Sequence, residues 1–245
     1  MICIYRRTLL IWLLVAILPV ALMGGSLRYY FKVQCENIMR KNQAAQAAEL
    51  NRELLPMQWS PAKQALEKEL HEDKSVSQIT WAPNGISAVY VRKNGAISKI
   101  FIKKAGESKE RVLGDYSSNT QGMFWSPNNN FVLLSEKSGE GTTSKIIRTD
   151  TLAVQAPPIS STLLPVWSPD GNRLAAANLE KDKNNNIITI RMYTVGSKDS
   201  RVLLKSPFAF GLYFVEYWDH NGIIGYSEVD QNGQRVKKTL PAPKS

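Results

Sequence analysis

The chain has 245 residues, 43% of them hydrophobic, which is enough to bury a substantial core and excludes an intrinsically disordered chain. Its formal charge of +10 comes from Lys and Arg scattered among Glu and Asp, in runs no longer than pairs such as Lys103-Lys104 and Lys237-Lys238. A solvated basic surface is expected, and no nucleic-acid partner. The two cysteines, Cys3 and Cys35, flank an apolar segment, so no disulfide can staple the long region C-terminal to it.

Residues 1–7 read as a cytoplasmic tail and 8–26 as a transmembrane signal anchor. From Thr8 to Gly25 no residue is charged, and a helix of that length covers about 27 Å, close to the thickness of a bilayer core. Arg6 and Arg7 precede it as in an export signal, and Trp12 and the Tyr29-Tyr30-Phe31 group suit the two interfaces. A cleaved signal peptide, cut after Ser26, is the alternative. Arg28, Lys32, Arg40 and Lys41 on the far flank nearly balance the charge comparison. The orientation, with the C-terminal part outside the cytoplasm, therefore rests on the form of the export signal.

Residues 27–75 are expected to form a helical stalk. Gln34 to Leu55 contain neither Gly nor Pro and are rich in strong helix formers; Pro56 stops them. Ser60 and Pro61 then suit an N-cap and first helical position, predicting a second helix over Ala62 to His71.

From residue 76 to 245 the chain repeats itself. Trp81-Ala-Pro83-Asn-Gly85, Trp125-Ser-Pro127-Asn-Asn129, Trp167-Ser-Pro169-Asp170-Gly171 and Trp218-Asp-His-Asn221-Gly222 align, their tryptophans 44, 42 and 51 residues apart. That period, with strands between, is the signature of propeller blades. Pro presets φ, Asp or Asn takes the next position, and Gly or Asn accepts the left-handed conformation that sends the chain back as an antiparallel strand. Second strands are predicted at Ile86 to Arg92, Phe131 to Ser135, Arg173 to Asn178 and Ile223 to Glu228. Third strands come at Ile97 to Lys103, Lys145 to Thr149, Ile187 to Val195 and Gln234 to Leu240. Fourth strands are predicted at Glu110 to Leu113, Leu152 to Gln155 and Arg201 to Lys205, with none in the last repeat. Lys137 to Thr143 and Glu180 to Asn186 read as long exposed loops. The fold class is all-β: a propeller or partial propeller of about four blades.

The Trp-Ser-Pro-Asp-Gly turn before a small apolar strand resembles the TolB-like propeller repeat, also found in the propeller domains of prolyl-oligopeptidase-type peptidases. The resemblance covers Val76 to Leu240. TolB-like propellers usually close with more than four blades, which implies a chain that is truncated, unusually small or completed by another subunit, for instance in a homodimer. It also implies protein contacts in envelope assembly, transport or sensing.

Candidate chemistry is sparse. His71 and His220 have no metal-ligand spacing, no Gly-x-Ser-x-Gly nucleophile elbow occurs, and no phosphate-cradling Gly-Lys-Ser or Gly-Lys-Thr loop is present. The tryptophans are expected to pack between sheets and Asp170 to form a turn. Neither cofactor, metal nor catalytic residue is expected. The chain reads as a non-enzymatic, membrane-anchored interaction module with an unidentified envelope protein as partner. The alternative is a sensor of a small molecule or glycan acting through a membrane partner.

Overall fold

A computed structural model describes residues 60–139, 141–155, 158–182, 185–207, 213–229 and 234–243. The anchor 8–26 and the stalk up to residue 59 lie outside the described residues. Among the described residues, no helix is long and apolar enough to cross a membrane.

The helix predicted after Ser60 is present as α1, Pro61–Glu72. Ser60 caps it, its hydroxyl oxygen accepting the Lys63 N–H at 3.1 Å, and Pro61 fills a first-turn position whose N–H would have no helical partner.

Among the described residues fifteen strands come after it in four antiparallel sheets, each built from consecutive strands. The first sheet is β1 (Val76–Trp81), β2 (Ser87–Asn94), β3 (Ile97–Lys104) and β4 (Arg111–Tyr116). The second is β5 (Thr120–Trp125), β6 (Phe131–Ser138), β7 (Gly141–Arg148) and β8 (Ile159–Ser161). The third is β9 (Val166–Trp167), β10 (Arg173–Asp182), β11 (Asn185–Thr194) and β12 (Ser200–Pro207). The fourth has three described strands, β13 (Phe214–Trp218), β14 (Ile223–Val229) and β15 (Arg235–Pro241). No closed ring is found among the described residues.

Sequence and structure differ at three places. In the second repeat the fourth strand is Ile159–Ser161, not residues 152–155. Leu152 takes a left-handed φ of 60° and its N–H bonds back to the Arg148 carbonyl, so this stretch turns, and only Val154 bridges to Ile147. The loop expected over 137–143 is instead paired as far as Ser138 and Gly141, with Gly139 at φ 59° in the tight turn. Likewise β10 and β11 pair as far as Asp182 and Asn185. In both hairpins polar composition resembled a loop, while backbone pairing, which does not depend on side-chain polarity, carried on.

The core lies between sheets. Val89, Val91, Ile100 and Ile102 of the first sheet meet Met123, Trp125, Val132, Leu134 and Ile147 of the second. Phe131, Leu133, Ile146 and Ile159 on the second sheet's other face meet Trp167, Leu174 and Ala176 of the third. A strand covered on both faces loses the polar-apolar alternation of a half-buried one. Accordingly Ala88, Val89, Tyr90 and Val91 are all buried in sequence.

Among the described residues no sheet precedes the first, and α1 takes that place. Leu66 and Leu70 are buried against Ala88 and Tyr90, with Val76, Ile79, Trp81, Phe101 and Ala105 around them. Each leucine so buried is worth about 1.5–3 kcal/mol. The contact is fastened by an ion pair from Glu69 to Lys103 and by Asp73, just past the helix, to Arg92. Arg92 also lies over the rings of Tyr90 and Phe101 and pairs with Glu110, to which the Tyr90 hydroxyl donates. Burial, then that hydrogen bond and the glutamate's charge, push the Tyr90 hydroxyl far above its ordinary range, so it stays a neutral donor.

Candidate functional site

The four Trp-containing turns have one construction. The N–H of Gly85, Asn129, Gly171 and Gly222 bonds to the carbonyl three residues earlier, at Ala82, Ser126, Ser168 and Asp219 respectively. These same four residues have φ of 68°, 64°, 69° and 75°. Pro83, Pro127 and Pro169 each come after the first residue of the turn, where a fixed negative φ fits. In the last turn His220 holds that place, with Asn221 after it. The fourth turn is also shorter: Ala82, Ser126 and Ser168 pair with the residue five further on, but the Asp219 N–H reaches the carbonyl of Ile223.

Sequence reading gave no role to the residue after Trp, and in the last three turns the structure makes it the hub. Ser126 and Ser168 are fully buried. The Ser126 hydroxyl accepts the Phe131 N–H at 2.9 Å and donates to Asn128 at 2.7 Å; Ser168 does the same with Arg173 and Asp170. In the fourth turn Asp219 is the hub, its carboxylate accepting from Asn221 at 3.0 Å and from Ile223 at 2.7 Å. The recurrence of Ser after Trp in two repeats was the available signal.

Neighbouring turns are stitched into a row. The Asn84 N–H donates to the Asn129 side-chain oxygen at 2.9 Å, and the Asn128 amide donates to the Asp170 carbonyl at 3.0 Å and to Asn172 at 3.1 Å. Approach is so close that a Cβ on Gly171 would lie 2.9 Å from the Asn128 backbone nitrogen. At the end of the row Arg173 lies 5.1 Å from the centre of the Trp218 ring and donates to the Pro243 carbonyl at 3.1 Å.

The tryptophans divide by position. Trp125, Trp167 and Trp218 are buried, and Trp125 donates its indole N–H to the Thr80 carbonyl of the sheet before it at 3.0 Å. Trp81 is half-buried and meets α1 instead, with Lys63 5.5 Å from its ring centre. Burial pushes the Asp170 carboxyl up, but hydrogen bonds from Ser168 and the Asn172 N–H, with the charge of Arg173, outweigh it and hold the group below its ordinary value. With these donors the carboxylate holds the turn in place. Among the described residues no cluster of His, Cys, Asp or Glu could hold a metal ion.

The row therefore has two unlike ends. At the first sheet α1 covers the outer face. At the fourth, the face turned away from the third sheet is covered from within: a Cβ on Gly225 would lie 2.0 Å from the Tyr217 ring, which takes that space. Arg235 lies over Phe214 at 5.3 Å, donates to Ser227 at 2.7 Å and pairs with the buried Glu216 at 2.8 Å.

No family model matches the sequence, and no curated protein does. Solved structures do match. A prolyl endopeptidase aligns over 84% of this chain and 33% of its own length, with a TM-score of 0.55 and 16% identity. Prolyl oligopeptidase B from Galerina marginata aligns over 84% of this chain and 34% of its own, with a TM-score of 0.51 and 12% identity. The β-propeller domain of the Trilobed protease from Pyrococcus furiosus, described as having an open velcro topology, aligns over 69% and 56%, with a TM-score of 0.51 and 11% identity. The chain thus spans about a third of the two prolyl peptidases and about half of the Trilobed propeller. TolB from Acinetobacter baumannii is also matched, at a TM-score of 0.36 that carries no weight. These likenesses correct the expectation of a chain without enzymatic connection: the fold is one that prolyl peptidases also carry, and the missing nucleophile motif was no ground for setting enzymes aside. At these identities the likeness concerns fold alone, and the fold of residues 60–243 is a run of β-propeller blades.

Proposed function

We propose that this chain is a membrane-anchored β-propeller module that holds another protein on the extracytoplasmic side of a bacterial envelope. Residues 8–26 act as the anchor and 1–7 as a cytoplasmic tail. The observation that carries the reading is the inequality of the row's ends: one sheet face is sealed by the chain's own helix, and the last sheet has one described strand fewer than the other three. A sheet edge with no strand beside it is a surface for another chain. The uncharged run from Thr8 to Gly25 after Arg6 and Arg7 supports the anchor.

Two measurements test this. Alkaline phosphatase fused after Ser245 is active if the propeller lies outside the cytoplasm; an inactive phosphatase beside a working cytosolic reporter contradicts it. A photo-crosslinker at Val236, 39% exposed on β15, captures one defined envelope protein on this reading. Capture of no specific protein contradicts it, and capture of a second copy of this chain assigns the closure to a homodimer.

A further inference from the structure

The backbone bonding of β15 says what kind of chain can join it. The Ala242 N–H bonds to the Gly222 carbonyl, and Ile223 through Val229 pair in the same register with Pro241 through Arg235. In an antiparallel ladder, bonded and non-bonded pairs alternate, so residues 236, 238 and 240 bond to β14. The N–H groups of Arg235, Lys237 and Thr239 then point to the outer edge of β15, along which no described strand pairs. Pro241, which has no N–H, falls on that same edge, where its lack of a donor costs nothing.

In the first and third sheets the strand at this position is paired on both sides and buries Ile100 and Ile102, or Ile188 and Ile190. In β15 no residue is buried, and Val236 is exposed. The charge there has one sign. Arg235 and Lys238 are paired with Glu216 and Glu228, but Lys237 has no carboxylate partner among the described residues.

We propose that the outer edge of β15 accepts one added strand, an extended segment of another protein in which acidic and apolar residues alternate. Its backbone pairs with Arg235, Lys237 and Thr239. Its acidic residues lie on the face of Lys237, and its apolar ones on the opposite face, beside Val236. A second copy of this chain pairing antiparallel about Lys237 would set that lysine opposite itself, and like charges placed opposite one another destabilise a strand pair. Lys237 thus disfavours that self-pairing while admitting an acidic strand. This deepens the interaction-module reading and rests on it. Peptide titration reads the edge in isolation, so it can fail while the crosslinking result stands, and the reverse.

Full-length protein in detergent micelles is titrated with two fluorescent peptides, alternating Glu-Val and alternating Lys-Val, and monitored by anisotropy. The Glu-Val peptide is expected to bind at least about tenfold more tightly, the scale of one or two net charge-assisted contacts. Lys237→Glu reverses the preference. Lys237→Pro removes an edge donor without removing a bond to β14 and weakens the Glu-Val peptide by about tenfold. Binding of neither peptide, equal binding of both, or no response to either substitution in variants with unchanged circular dichroism overturns the proposal.

Discussion

The first and fourth sheets are built from the same repeat and meet the same problem, an outer face with no neighbouring sheet among the described residues, and they solve it differently. The first buries Ala88 and Tyr90 under Leu66 and Leu70 of α1 and surrounds the contact with ion pairs. The fourth keeps its outer face close to the backbone, with Gly225 beneath Tyr217 and Arg235 spread over Phe214. A helix can cover a face of large residues; a face without a helix needs small residues and aromatic rings that lie flat on them. The first end is thereby finished, and the last keeps an edge available.

Predictions that break or sharpen this contrast differ in size. Leu70, 1% exposed, should be the most sensitive position: Leu70→Ala is expected to cost about 3 kcal/mol, within the usual range of about 2–5, read as a fall in denaturation midpoint. An unchanged midpoint would mean that α1 does not close the first sheet. The turn glycines come next. Gly171→Ala meets the Asn128 backbone and a positive φ together and should cost about 2 kcal/mol or more. Gly222→Ala, with nothing within 4 Å, bears only the conformational penalty of about 1 kcal/mol. Equal effects would remove the claim that interior turns are locked together and the end turn is not. Ser60→Ala should cost about 1 kcal/mol through loss of the cap.

The smallest effect concerns pH. Hydrogen bonds from Arg191, outweighing partial burial, hold the Glu180 carboxyl below its ordinary value of 4.5. A depressed carboxyl stabilises the folded chain fully above that ordinary value and loses the contribution as pH falls through the folded one. Wild type should therefore lose slightly more stability than Glu180→Gln between about pH 7 and pH 3. The difference should stay below about 1 kcal/mol, because the pair is partly solvated. A larger loss in Glu180→Gln would reverse the assigned sign.

Much of the fold was legible because the repeat is written in backbone chemistry. Gly85, Asn129, Gly171 and Gly222 mark positions only such residues occupy comfortably, and Ser60-Pro61 marks a helix start from local bonding alone. The fourth strand of the second repeat was misplaced because Leu152 adopts a left-handed φ that its own identity does not advertise. The hubs Ser126 and Ser168 were missed because a small hydroxyl acts through donors five residues away. The packing of α1 was not readable: Leu66 and Leu70 mark an apolar stripe, and nothing in them names the sheet it meets. The free edge of β15 was half readable, since the absence of a fourth strand in the last repeat was expected, whereas the outward N–H groups emerge only from the register.

Residue-resolved amide hydrogen exchange on the full-length chain tests the central contrast most directly. The account predicts strong protection along β2 and β3 and in Leu66 to Leu70, and fast exchange at Arg235, Lys237 and Thr239 alternating with slower exchange at Val236, Lys238 and Leu240. Protection at Lys237 and Thr239 equal to that of Ile100 and Ile102 would contradict it, since the last sheet would then be as fully paired as the first.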